Sequence, residues 1–90
     1  MKWEDALFNW LQIKLVSEAR PFDDAAKKTV EFFEQILRED HGITDFAIDH
    51  KDDTMIHVRY VKEGKVKKQF FDRTAAEKLL SDIESDWKYQ

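Results

Sequence analysis

The sequence has no cysteine, one proline, two glycines and no long apolar run. Each shortage removes a class of explanation. Without cysteine there are neither disulfides nor thiolate metal sites. Two glycines are too few for the glycine-rich loops that cradle phosphates. Crossing a bilayer as a helix takes about 20 consecutive apolar residues, and no stretch approaches that. The opening Met1-Lys2-Trp3-Glu4-Asp5 has neither the basic end nor the apolar core of a secretory signal, so a cytoplasmic location is expected.

Charge and aromatic side chains are plentiful instead. Ninety residues predict a single domain over 1–90 with one core. The net charge of −4 conceals an uneven distribution. Residues 1–53 hold 7 Lys+Arg against 13 Asp+Glu, whereas residues 54–73 hold 6 against 2. Acidic helices beside a basic hairpin favour self-attraction, within one molecule or between copies, over an outside anionic partner.

The spacing of apolar residues predicts a helix over Trp3–Ala19, with Trp3, Ala6, Leu7, Trp10, Leu11 and Ile13 in phase and Phe8 and Leu15 widening the sector. Leu11-Gln12-Ile13-Lys14-Leu15 alternates like a strand within it. Pro21 stops the element. A second helix is expected over Asp24–Asp40, capped by Asp23, ended by Gly42, and buried along Ala26, Val30, Phe33 and Leu37. Ile43–Asp49, Met55–Val61 and Lys65–Phe71 read as strands. A final helix begins at Thr74-Ala75-Ala76-Glu77, a capping-box pattern, with Ala76, Leu79, Leu80, Ile83 and Trp87 as its apolar stripe. The expected fold is α+β: two layers in the order α-α-β-β-β-α, with a three-stranded antiparallel meander packed by helices on one face.

The Lys62-Glu63-Gly64 link sets which side chains share a face. A two-residue turn at Glu63-Gly64 places Lys65, Lys67 and Gln69 beside Ile56, Val58 and Tyr60. A three-residue loop shifts the register by one, opposing Tyr60 to Val66, Val58 to Lys68 and Ile56 to Phe70. The second arrangement buries more apolar surface and is the expectation. It leaves His57, Arg59, Lys65, Lys67 and Gln69, beside Met55, Val61 and Phe71, on an open basic face. In the first hairpin, opposing Ile48 to Ile56 sets Phe46 against Val58 and Asp45 against Arg59.

The residues give no sign of catalysis. Asp49-His50-Lys51-Asp52-Asp53 lacks the glycine and distal glutamate of a calcium loop, and a polar turn explains its aspartates. Ser17, Ser81 and Ser85 belong to helices, with no strand-to-helix elbow. No catalytic, cofactor or metal residue is expected, and no enzyme.

From Asp24 to Trp87, the order helix, three strands, helix resembles a double-stranded-RNA-binding domain in order and size. In that family a lysine-rich start to the last helix contacts RNA. Here Thr74, Ala75, Ala76, Glu77 and Lys78 stand there, so the resemblance implies the topology without the RNA site. Over Val58–Leu80, the pattern Tyr60, Gly64-Lys65, Phe70 or Phe71, Ala75-Ala76 and Leu79 is similar to the three-stranded DNA-binding arm domains of phage-type integrases. That resemblance implies a sheet face in the major groove, read by Arg59, Lys65, Lys67 and Gln69, with His57 beside them.

The leading functional expectation is a non-enzymatic protein-interaction module, homo-oligomeric in one version. Its partner surface would use Phe8, Leu11 and Leu15 of the first helix, unless that helix is sandwiched in the core, or His57, Arg59, Lys65, Lys67, Gln69 and Phe71 of the sheet. A nucleic-acid-binding domain using the basic sheet face is the alternative. Neither reading involves a membrane.

Overall fold

The computed structural model describes the backbone of residues 1–87 and the side chains through Ser85. Its elements are α1 (Trp3–Ala19), α2 (Asp24–His41), β1 (Ile43–Lys51), β2 (Met55–Lys62), β3 (Lys65–Asp72) and α3 (Arg73–Trp87). The strands form one antiparallel sheet in the order β1-β2-β3, and the helices pack on it. The α+β order read from the sequence is the order observed.

Helix α2 is built by local rules. Asp23 caps it by accepting from the Ala26 amide at 3.0 Å, and Gly42 ends it in the left-handed region at φ 64°. Helix α1 has no side-chain cap at Lys2, so packing rather than capping stabilises it. Its buried residues Ala6, Leu7, Trp10, Leu11, Leu15 and Val16 lie between α2 and α3. Leu7, Leu11 and Leu15 recur every fourth residue on one helical face, which overrides the strand-like alternation.

Three aromatic side chains of α1 reach the three strands. Trp3 meets Tyr60 of β2 at 5.4 Å between ring centroids, Trp10 meets Phe46 of β1 at 5.2 Å, and Phe8 meets Phe71 of β3 at 5.5 Å. The Trp10 indole N–H donates to Glu34 of α2 at 3.1 Å, so its one polar atom is satisfied. Around these rings Leu37, Ile43, Ile56, Val58 and Ala76 complete one core.

The second hairpin corrects the expected register. Glu63 and Gly64 both have positive φ, 54° and 74°, and the ladder runs unbroken from Lys62↔Lys65 to Met55↔Asp72. This is a two-residue turn with both central residues left-handed, whose twist suits antiparallel strands. Tyr60 therefore opposes Lys67, Val58 opposes Gln69 and Ile56 opposes Phe71. Lys65, Lys67, Gln69 and Phe71 share the helix-facing side, not the open face. The reason is positional: β3 is an edge strand, and Lys65 and Lys67 remain exposed there. Of the four, Phe71 packs against the core, on Phe8.

The first hairpin differs too. Ile48 opposes Val58 and Ala47 opposes Arg59, with irregularities between Thr44 and Ala47 and between Ile48 and His50. Asp45 sits in the first of these at φ 53° and has no place opposite Arg59. Bulges bend β1 and lysines line β3, two devices that discourage pairing with another strand.

At α3 the expected Thr74–Glu77 capping box is replaced. Asp72 accepts from the Ala75 amide at 2.8 Å, while Glu77 pairs with Arg73 Nε at 3.1 Å. Ala76 is buried and Leu79, Leu80 and Ile83 are half-buried; the Trp87 side chain lies outside those described.

Two substitutions test this packing. Leu11→Ala should cost about 2–5 kcal/mol, read as a lower urea midpoint. Glu63→Asn should add up to about 1 kcal/mol of stability, read as a higher urea midpoint, because asparagine tolerates the left-handed region better than glutamate. A loss of stability in Glu63→Asn would contradict the turn.

Candidate binding face

The side of the sheet away from the helices is organised in three rows fixed by register. His50, His57 and Phe70 pair across the strands, then Ala47, Arg59 and Lys68, then Thr44, Val61 and Val66. The first row is aromatic throughout. His57 and Phe70 rings lie 4.5 Å apart, and His50 meets His57 edge-on at 5.2 Å. The second row sets the cations Arg59 and Lys68 beside Ala47. Asp49, turned out by the bulge beside it, reaches across to Lys68 Nζ at 3.1 Å. The Lys68 hydrogen bond and charge hold the Asp49 carboxyl below the usual aspartate range, with Arg59 and His57 adding to the effect. The third row ends in Val66.

Asp52 holds one end of this face. Its carboxylate accepts from the Met55 amide at 2.7 Å and the Thr54 amide at 3.0 Å, and it contacts His57 Nε2 at 3.1 Å. These bonds, the two amides foremost, lower its pKa from 3.8 to about 2. Arg73 joins the turn to α3: its Nη1 donates to the Asp52 carbonyl at 2.9 Å and its backbone amide to the Thr54 carbonyl at 2.8 Å. Asp52 matches the polar-turn reading, whereas Asp49 lies within β1 and is engaged by Lys68 across the sheet.

The residues singled out from sequence are dispersed. His57 and Arg59 stand together on the bare face. Lys65, Lys67, Gln69 and Phe71 belong to the opposite side. Phe8 is half-buried against Phe71, and Leu11 and Leu15 are core residues that present nothing to a partner. Lys68, Phe70, Val66 and Asp49 were missed. The Glu63-Gly64 dipeptide between two alternating runs was the available signal for the first three. No signal in the sequence marks the bulge that turns Asp49 outward.

Two shallow grooves lie elsewhere, one on α3 by Glu77 and Lys78 and one on α2 by Glu31 and Arg38. Among the described residues, no group of three His, Asp or Glu side chains is placed to hold a metal, and no helix is long and apolar enough to cross a membrane.

The depressed Asp52 pKa gives a pH prediction. The folded state binds this proton less readily than the unfolded chain, so the carboxylate stabilises the fold above the ordinary aspartate pKa. That contribution fades as pH falls from about 4 to about 2. Melting wild type and Asp52→Ala in parallel should show a gap that is widest at neutral pH and narrows toward pH 2. A gap independent of pH would show that the charge of Asp52 does not matter.

No protein-family model, curated protein or solved structure matches this chain.

Proposed function

We propose that the protein is a non-enzymatic cytoplasmic interaction module that receives a partner protein on the bare face of its sheet. The supporting observation is the exposure of Val66 and Phe70, 65% and 55%, beside Arg59 and Lys68. Apolar groups left in water on a rigid sheet favour a partner that covers them. Neighbouring rows are two residues apart along β2 and β3, about 7 Å. A complementary segment therefore carries an apolar side chain, a carboxylate and a second apolar side chain at that spacing. Helix α1 has no part in this surface, because its apolar residues are used internally.

One observation favours a second reading. The His50–His57–Phe70 row beside Arg59 and Lys68 combines stacking surface with cations, as single-stranded nucleic acid requires. Among the described residues the face has two cations for this, since Lys65 and Lys67 are on the other side. Asp49 occupies one of them. The protein reading uses both apolar rows and is preferred.

Both are tested by titrating isotope-labelled protein and following its amide resonances. A synthetic peptide rich in Glu and Phe should shift His57, Arg59, Lys68 and Phe70, and Phe70→Ser with Arg59→Glu should weaken it about tenfold, roughly 1.4 kcal/mol. Shifts confined to the helices would overturn the proposal. Oligo-dT binding at about 50 mM salt that fades steeply as salt rises would favour the second reading, and no binding there would end it.

A further inference from the structure

A second apolar group stands in water away from the sheet. Phe22, in the turn between α1 and α2, is 82% exposed, the highest among the exposed large apolar residues described. It is held on a firm frame. Pro21 fixes the backbone before it. The Asp23 amide closes the turn on the Arg20 carbonyl at 3.0 Å, Arg20 pairs with the Asp23 carboxylate at 3.5 Å, and Asp23 caps α2. Asp24 follows, exposed and acidic. The turn thus presents an aromatic ring beside a carboxylate, pre-ordered at little entropic cost on binding.

This tip and the bare sheet face are complementary. Phe22 suits the apolar surface of Phe70, and Asp24 suits Arg59 in the neighbouring row, where Lys68 already pairs with Asp49; the turn thus fills two of the three rows and leaves Val66 at its margin. The tip does not reach its own face. The ring contacts of α1 with the sheet end at Trp10, and the helix continues about 15 Å further before Arg20. The match is therefore between molecules.

We infer that copies of this chain associate head to tail, the Pro21–Asp24 turn of one seated on the bare sheet face of the next. The inference rests on the sheet-face reading above and names a second copy as the occupant. Each pair leaves one turn and one face unused, so the contact is heterologous and grows into short chains or closes into a ring. It is small and partly electrostatic, which makes it concentration-dependent and weaker in salt.

The test uses two kinds of full-length variant. Phe22→Ser with Asp24→Lys blocks the turn. Phe70→Ser with Lys68→Glu blocks the face, and Val66→Asp blocks it independently. All these positions are exposed, and circular dichroism checks that each variant folds. In sedimentation velocity, wild type should gain mass as concentration rises and lose it in high salt, while each variant alone stays monomeric. Mixing a blocked-turn with a blocked-face variant should give one-to-one dimers and nothing larger, because one intact turn meets one intact face. A wild type that stays monomeric to about 1 mM, or a mixture that never pairs, overturns the inference. Binding of the Glu- and Phe-rich peptide to the blocked-turn variant separates the two failures. If the peptide binds while wild type is monomeric, the face still receives a partner but not a second copy. If neither occurs, both readings fall.

Discussion

Helix α1 is fastened to the sheet by three aromatic contacts, and the arrangement of the other elements follows from them. Trp3, Phe8 and Trp10 reach β2, β3 and β1, so a single helix spans the whole width of the sheet. Such ring pairs prefer tilted or edge-on geometry and add to the energy of burial. With α1 in the middle, α2 and α3 are confined to its flanks. A helix buried on so many sides needs neither a clean polar face nor a strong cap, and α1 has neither.

Placing all helices on one side determines the character of the other. Alternation along β2 sends Ile56, Val58 and Tyr60 inward and His57, Arg59 and Val61 outward. The turn at Glu63-Gly64 then decides what joins the outward set. Because it contains two residues, Phe70, Lys68 and Val66 face outward and the lysines at 65 and 67 do not. A surface with two cations and an aromatic margin results, rather than one that sets Lys65, Lys67 and Gln69 beside Arg59.

Much of this was readable in advance where one residue type meets one geometric need. Asp23 and Gly42 bracket α2 because a carboxylate suits free amides and glycine suits a left-handed backbone. The alternation of β2 identified its buried side correctly. The reading failed at β3, where burial was weighed as though every strand had to be covered. Lys65 and Lys67 make a poor core but an adequate edge, and an edge strand at the limit of the helix layer has little core to form. At α1 the wide apolar sector suited a core as well as an interface, and the interface reading does not hold. Leu11 and Leu15 are instead enclosed by neighbouring helices, a tertiary fact that helical periodicity cannot convey. The two irregularities in β1 had no local signature.

Asp52 and Arg73 give the molecule a connection that its element order does not suggest. One carboxylate gathers the amides of a tight turn and touches the imidazole of His57, while the guanidinium that starts α3 donates to the carbonyl of the same turn. The outward imidazole and the first residue of the final helix are therefore anchored to one short stretch of chain.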